Sequence, residues 1–390
     1  MLGVATLDIH NRMAGSASAT GRHAVAYAVE RAITALDREP GLVLVFPTAP
    51  IDPDTVAVEA QAAAPGTRVA GMTGTAVIGA NGLIDNGCSA IAFSSVLNIG
   101  VGASEADDPR TCGREAAEKA LAAIDDASHG VLLLFVDSDS GDQAEVVAGA
   151  YAVAGGRIPL AGGAAGGAPR ARFADGRALA KGVVAVAIGN RTPIGVGIAH
   201  GCVPRGAPSI VTRSEGQTVL RLDGRPAQDV YFERLGVDGE QVDDKTFETL
   251  AMMHPLAEPE LSGNTRPRYV RARAADGGLV CATSIETNAA VEICDHTPDA
   301  IGTSARAAVE DAASQLQGPT EAAVVFDCAA RSAWFGGDLA LREADALVGA
   351  LGDPVPTVAG VCTRGEIGRV RGAKGDLNYG IVVVAFSAPA

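Results

Sequence analysis

The run LVLVF at residues 42–46 decides the predicted fold, because five consecutive apolar residues of this kind are typical of a short buried strand. Apolar residues with helical spacing precede it at residues 25–36, and a typical helix start follows it at residues 52–53. The chain then continues through an Ala-Gly pair at residues 70–71 to a second strand-like run at residues 89–93. Helix, strand, helix, Ala-Gly and strand is therefore the pattern to seek elsewhere.

The same order of elements occurs twice more, which indicates an internal repeat of three units. The strand-like run, the Ala-Gly pair and the closing strand lie at residues 131–136, 161–162 and 183–188 in the second unit, and at residues 322–326, 359–360 and 381–386 in the third. Strand–helix–strand units imply parallel strands joined by right-handed crossovers. We therefore expect an α/β fold with repeated β-α-β units in mainly parallel sheets. The residues expected at equivalent positions are the phenylalanines Phe46, Phe135 and Phe326 and the glycines Gly71, Gly162 and Gly360.

The region between the second and third units follows a different pattern. A turn signal at residues 276–278 between two strand-like runs predicts an antiparallel hairpin, and residues 228–235 are a predicted short helix. The polar, proline-containing residues 253–267 are interpreted as an exposed loop. Two domains are expected: residues 20–192 with two units, and residues 193–390 with an antiparallel insert at 193–300 and the third unit at 303–387.

The composition excludes several classes of function. The formal net charge of −15 repels nucleic-acid phosphates, and aromatic residues for base stacking make up only 4% of the chain. Neither a signal peptide nor an apolar run near the roughly 20 residues of a membrane span is visible. Seven cysteines without a Cys-x-x-Cys pair are typical of reduced thiols. We expect a cytoplasmic protein with no nucleic-acid or membrane partner. Because no Walker lysine, HExxH or GxSxG motif occurs, we expect no metal or cofactor.

Several motifs resemble those of the FIST domain family. They are HGCVP at residues 200–204, LDGRPA at 222–227, VFDC at 325–328 with Arg331, GEIG at 365–368, and AGMTG at 70–74. The resemblance covers roughly residues 20–387 and implies an N-terminal FIST domain followed by a C-terminal FIST domain. It also implies an intracellular sensory module of signal transduction that binds small ligands such as amino acids. Its output would come from a separate protein, and a homo-oligomer stays open.

The candidate binding residues come from the loops after the predicted strands, because ligands of parallel sheets lie at the carboxyl ends of the strands. Only the third unit places a cation, Arg331, and an anion, Glu366, in these loops. Arg331 suits a carboxylate and Glu366 an ammonium group, which together fit an amino acid. We expect both to line one cavity, opposite the glycine-rich loops of the other units. The further candidates are Cys328, Thr363, Arg364, Thr73, Gly74, Gly162 and Gly163.

Two other interpretations of these residues stay open. Arg331 and Glu366 would hold the loops together if they pair with each other or with Asp327. The protein would be an enzyme acting on a small polar metabolite if Cys328 or His200 works with Glu366. Because the sequence has no nucleophile–base motif, we favour the sensor and assign no catalytic residue.

Overall fold

The structure is a computed structural model that describes residues 13–21, 23–48, 50–124, 129–137, 142–260, 265–334, 337–352, 354–370 and 374–387. The first unit consists of β1 (Ala14–Ala19), α1 (Ala24–Leu36), β2 (Pro40–Pro47), α2 (Pro53–Ala63), β3 (Arg68–Met72), β4 (Val77–Gly79), β5 (Gly82–Ile84) and β6 (Cys88–Ser94). The second consists of β7 (Asn98–Ser104), α3 (Pro109–Leu121), β8 (His129–Val136), α4 (Gln143–Ala154), β9 (Leu160–Ala164), β10 (Arg172–Ala174), β11 (Arg177–Leu179) and β12 (Val183–Asn190).

The third unit begins with β13 (Ile194–Ala199) and is interrupted by the insert. The insert consists of β14 (Cys202–Pro204), β15 (Ser209–Glu215), β16 (Thr218–Leu222), β17 (Arg225–Pro226), α5 (Ala227–Leu235), a 3-10 turn (Gly239–Gln241), α6 (Asp244–Met253), β18 (Leu256–Pro259), β19 (Thr265–Arg268), β20 (Val270–Arg273), β21 (Leu279–Cys281) and β22 (Ala290–His296). The third unit resumes with α7 (Pro298–Ser314), β23 (Thr320–Cys328), α8 (Ala329–Trp334), α9 (Gly337–Leu351), β24 (Thr357–Thr363), β25 (Glu366–Arg369), β26 (Asp376–Leu377) and β27 (Ile381–Ser387).

In the described part of the chain, three six-stranded sheets with one common strand order form the body of the molecule. Their orders are β1-β6-β2-β3-β10-β11, β7-β12-β8-β9-β25-β26 and β13-β27-β23-β24-β4-β5. The last two strands of each sheet belong to a different unit from the first four. Each unit therefore adds one hairpin to the sheet of a second unit and receives a hairpin from the third. The three exchanges form a closed ring.

The prediction of mainly parallel sheets is wrong. Among the described strands of each sheet, one neighbouring pair is parallel, namely β2–β3, β8–β9 or β23–β24, and the other pairs are antiparallel. The reason is the way in which the chain connects the last two long strands of a unit. The chain leaves β3 through the β4–β5 hairpin rather than through a helix, and it returns as β6 antiparallel to β2. In addition, β1, β7 and β13 precede the helices that were expected to open the units.

The centre of the body is built from one phenylalanine of each unit. The ring centroids of Phe46, Phe135 and Phe326 lie 6.0, 6.1 and 6.1 Å apart. Each phenylalanine comes directly after a strand residue that pairs with a glycine of the neighbouring strand. These pairs are Val45 with Gly71, Leu134 with Gly162 and Val325 with Gly360. The three phenylalanines thus hold matching positions in their sheets, whereas an origin of the units by triplication stays a prediction.

The described residues among 253–267 do not form an exposed loop. They include the antiparallel pair β18–β19, in which the side chains of Glu258 and Arg266 are 7% exposed. The charges that made this segment look solvated are paired inside the protein, with Arg266 Nη2 2.5 Å from Glu258 Oε2. Arg266 Nη1 also lies 2.6 Å from Asp376 Oδ1 of β26, so the insert packs closely onto the third unit.

Candidate ligand-binding site

Arg331 lies in α8, directly after the carboxyl end of β23, and its side chain is fully buried. Its Nε donates to Glu343 Oε1 at 2.8 Å and lies 3.2 Å from Asp327 Oδ1. The two terminal nitrogens donate to the carbonyl oxygens of His200, Tyr379 and Ile301, to the Ser304 hydroxyl and to Glu343. Every N–H of the guanidinium thus has an acceptor within the protein, and the pairing with Asp327 is the one that the alternative interpretation named.

Glu366 is buried at the start of β25 with different partners. Its Oε1 accepts from the Thr363 hydroxyl at 2.8 Å, and its Oε2 accepts from the Gly380 N–H at 2.9 Å. Burial raises the pKa of Glu366 to about 7, although these two hydrogen bonds and one from the Cys328 thiol act in the opposite direction. Burial and the charge of Glu366 in turn raise the pKa of Cys328 well above the usual range.

Arg331 and Glu366 contact side chains on opposite faces of the sheet that contains β23. Along β23, Phe326 belongs to the central core, and Val325 belongs to the cluster under the outer helices. Because side chains alternate along a strand, Asp327 faces the helices and Cys328 faces the centre. Arg331 pairs with Asp327 on the outer side, whereas Glu366 contacts Cys328 on the inner side.

The glycine-rich loops that were expected to form the wall opposite Arg331 and Glu366 contact each other directly. Their own atoms fill the space between them. The Thr73 hydroxyl donates to the Gly166 carbonyl at 2.9 Å, and the Arg364 N–H donates to the Ala164 carbonyl at 3.0 Å. At Gly163, a Cβ would lie 2.8 Å from the Gly365 carbonyl oxygen and within 3.0 Å of the Thr363 side chain. The remaining candidates, Gly74 and Gly162, adjoin the backbone in the same closely packed region.

A cavity of about 540 Å³ lies instead beyond the carboxyl end of β8, in the second unit. We call it the Asp137 cavity. The charged residues among those that line it are Glu105, Asp107, Asp137, Arg170 and Lys181. Cys112, Val146 and Val183 contribute apolar surface.

Asp137 anchors the inner end of this cavity. Its side chain is only 8% exposed and lies 3.8 Å from Nη1 of Arg172, whose side chain is fully buried. Helix α3 begins beside the cavity because Asp108 caps it, accepting the Thr111 N–H at 2.8 Å ahead of Pro109. The cavity therefore combines both signs of charge with an apolar wall, as binding sites for small polar molecules commonly do.

Sequence reasoning missed Arg170 and Lys181. The sequence placed Asp137 at a strand end, but both cations lie in short connections flanking β10 and β11, a hairpin whose sequence signal is weak. No pattern in the sequence indicates that this hairpin joins another unit's sheet and brings residues 170 and 181 to the end of β8.

In the part of the chain that the structure describes, no three His, Cys, Asp or Glu side chains are grouped as metal ligands would be. No described helix has both the length and the apolar character required to cross a bilayer.

Comparison with known proteins defines the family. The FIST N domain matches residues 41–225, and the FIST C domain matches residues 227–369. The chain therefore belongs to the FIST family. FIST domains are sensory domains of signal transduction, which indicates sensing of a small ligand.

The individual relatives add little beyond the family. An uncharacterized protein of Mycobacterium tuberculosis, found in strains CDC 1551 and H37Rv, is 28% identical over 204 residues, which are 51% of this chain and 52% of the relative. The chain thus spans about half the length of the curated relatives it matches. Two solved cyanuric acid hydrolases align at low similarity. One, from A. caulinodans, has 12% identity and a TM-score of 0.37 over 97% of this chain and 99% of that one. The other has 9% identity and a TM-score of 0.34 over 96% and 100%. Scores this low carry no argument about fold or activity.

Proposed function

We propose that this protein senses a small zwitterionic metabolite, such as an amino acid, and binds it in the Asp137 cavity. The observation that carries the proposal is the presence of both signs of charge and an apolar wall in one cavity of about 540 Å³. The change of state would pass to a separate output protein.

The charges of the cavity match the two ends of an amino acid. An ammonium group placed near Asp137 gains a charge-assisted contact in a region that is largely shielded from water. A carboxylate on the opposite side would meet Arg170 and Lys181, while a short apolar side chain would contact Val146 and Val183. Arg331 and Glu366 are less suited to this task because they do not line this cavity and are almost fully buried.

Calorimetric titration of the full chain with the standard L-amino acids tests the proposal. We expect saturable binding of a subset with short side chains. For that subset, the amino acid amide and the N-acetyl amino acid should each bind at least about tenfold more weakly, because each lacks one charge-assisted contact. Asp137→Asn and Lys181→Ala should weaken binding to a similar extent. Lys245→Ala, which removes an exposed cation from α6, is the matched control and should bind like the wild type.

Binding that neither Asp137→Asn nor Lys181→Ala changes would contradict the proposed site. Lack of saturable binding by every amino acid would contradict the ligand class. Chromatography of the same samples separates a sensor from an enzyme, because a sensor returns the ligand intact. Consumption that disappears in Cys328→Ser would favour the enzyme.

A further inference from the structure

A second cavity, of about 470 Å³, lies between the insert and the third unit. We call it the seam cavity. The insert lines it with Glu260, Thr265 and Arg266, and the third unit lines it from α7, β25 and β26. The seam cavity and the Asp137 cavity have no lining residue in common. A ligand in this cavity would touch both the insert and the body, so its binding can change how the two pack.

One wall of the seam cavity has hydrogen-bond donors that the protein uses poorly. His200 Nδ1 accepts the Cys202 N–H at 3.0 Å, so the proton of the neutral ring is on Nε2. Burial, followed by the positive charge of Arg331, lowers the pKa of His200 to about 4, which keeps the ring neutral near pH 7. Nε2 lies 3.4 Å from the Thr265 hydroxyl, longer than an ordinary hydrogen bond, and a hydrogen bond from the ring to the Thr265 backbone opposes the lowering of the pKa, so this donor is used only in part.

Arg266 lines the same wall, and its side chain is 7% exposed. Its terminal nitrogens bind Glu258 and Asp376 at 2.5 and 2.6 Å, but among the described residues its buried Nε–H has no hydrogen-bond acceptor. A ligand oxygen on this wall would therefore gain a donor from Nε2 of His200 and lie next to an unused donor of Arg266. Leaving such buried donors unpaired is unfavourable.

The charges around the cavity favour a cation. Arg266 and Arg268 are balanced by Glu258 and Asp376, all within 2.9 Å of a partner of opposite charge. Lys374 is exposed, and its ammonium group lies 3.7 Å from Glu258.

Two more carboxylates line the seam cavity, the half-buried Glu260 and the exposed Asp311 on α7. Glu260 accepts the Lys374 backbone N–H at 3.4 Å, and Asp311 accepts from the Gln315 amide at 3.3 Å, so both keep lone pairs for a ligand. Ile198, Val370 and Leu377 supply an apolar surface between the two polar regions.

We infer that the seam cavity is a second ligand site, distinct from the Asp137 cavity, for a small organic amine with an apolar body and a polar oxygen. The ammonium group lies between Glu260 and Asp311, the apolar body contacts Ile198, Val370 and Leu377, and the oxygen accepts the His200 Nε2–H. The inference does not rest on the proposed function, because the zwitterion site and the amine site use different residues.

Three related phenols test the inference by calorimetry on the full chain. Tyramine carries the ammonium group and the phenolic oxygen, p-cresol lacks the aminomethyl group, and 3-(4-hydroxyphenyl)propionate replaces the ammonium group with a carboxylate. We expect saturable binding of tyramine, binding of p-cresol that is about tenfold weaker, and the weakest binding for the carboxylate. Added salt should weaken the binding of tyramine more than that of p-cresol.

Variants identify the site. The pair Glu260→Gln and Asp311→Asn should weaken tyramine about tenfold and leave p-cresol unchanged, whereas Glu310→Gln, which neutralises an exposed neighbour on α7, should change neither. His200→Asn retains an acceptor for the Cys202 N–H and removes the Nε2 donor, so it should weaken both tyramine and p-cresol. Asp137→Asn should leave tyramine binding intact. Equal affinity for the three probes, no binding of tyramine, or wild-type binding by the Glu260/Asp311 pair would each overturn the inference.

Discussion

Glu366 is a buried carboxyl group whose charge opposes folding near neutral pH. Burial raises the pKa of Glu366 to about 7 from the ordinary value of 4.5 for a glutamate. Between these two values the folded chain holds a proton that the unfolded chain has lost. Stability from this group is therefore fully present below about pH 4.5 and is lost as the pH rises through 7.

Glu366→Gln should remove this pH dependence. We expect the free energy of unfolding of the variant, relative to the wild type, to rise between about pH 4.5 and 7 by up to about 1.4 kcal/mol per pH unit. A constant offset accompanies it, because Thr363 and Gly380 donate to different oxygens of Glu366, and glutamine replaces one of these oxygens by an NH2 group that cannot accept. Urea denaturation of both proteins across this range measures the difference.

Comparing the free energies of unfolding of variant and wild type separates the effect of Glu366 from that of groups whose titration changes stability in the opposite direction. Burial lowers the pKa of His296 to about 3, so protonation of this ring destabilises the fold in acid in both proteins. Glu310→Gln is the exposed control and should give a flat difference. A flat difference for Glu366→Gln as well would show that the carboxyl titrates normally.

For individual residues, the sequence shows which side chains are charged but not which partners they bind. Arg331 and Glu366 follow the strands β23 and β24, as expected, but Arg331 lies in the short helix α8 and Glu366 in strand β25 rather than in loops. Nothing near them in the sequence indicates that their polar atoms are already hydrogen-bonded. The acceptors of Arg331 include the carbonyl oxygens of His200 and Tyr379, far from it along the chain. A backbone carbonyl carries no residue-type signal, so only the fold shows that the N–H groups of this guanidinium already have acceptors within the protein.

The strands β1, β7 and β13 each pack against a helix through glycine. A Cβ at Gly100 of β7 would overlap the carbonyl oxygen of Ala120 in α3, and one at Gly195 of β13 would overlap that of Ala312 in α7. The alternating glycines in these strands therefore allow close contact between helix and sheet. Helix α3 also supplies Cys112 to the Asp137 cavity, so this contact positions a wall of the proposed site.

Gly100→Ala should destabilise the protein by about 1–3 kcal/mol, because the new methyl group forces α3 away from β7. Gly302→Ala is the matched control: it lies in α7, and a Cβ there meets no atom within 4 Å. That substitution should raise stability by roughly 0.5–1 kcal/mol through helix propensity. Chemical denaturation followed by circular dichroism compares the two, and equal effects would refute the close-contact argument.

The helix starts could be predicted from the sequence, but the first strand of each unit could not. Asp52 accepts the Thr55 N–H at 3.1 Å, as its position before a proline indicates, and the same interaction occurs at Asp108. The strands β1, β7 and β13 are rich in Gly and Ala, which have low strand propensity and give no amphipathic pattern. A local sequence pattern also does not indicate the direction of a strand relative to its neighbours. This is why the sheets were expected to be mainly parallel.

The exchanged hairpins make the two halves of the molecule depend on each other. The FIST N match ends at residue 225, so a fragment that stops there contains β9 without β25 and the β4–β5 hairpin without β24. It also lacks Phe326, one of the three central rings. The boundary between the two sequence domains is therefore not a boundary between two folding units.

Residues 1–225 expressed alone should show no cooperative thermal transition and should bind a dye that reports exposed apolar surface. Co-expressed with residues 226–390, the fragment should co-purify with it and recover a cooperative transition. Circular dichroism and size-exclusion chromatography, with the intact chain as reference, test this expectation. Cooperative unfolding of the isolated fragment at the temperature of the intact chain would contradict it.

The closed ring of hairpins also fixes how many units the architecture can hold. An open array grows or shrinks by one unit because each unit touches only its neighbours. Here, removal of a unit would take away the hairpin that covers β3, β9 or β24 and leave that strand as a bare edge, prone to pair with another chain. A fourth unit would have to break a hairpin contact before joining. In this ring of three units every donated hairpin finds an acceptor, so a change in the number of units breaks a hairpin contact, whereas a change in sequence need not.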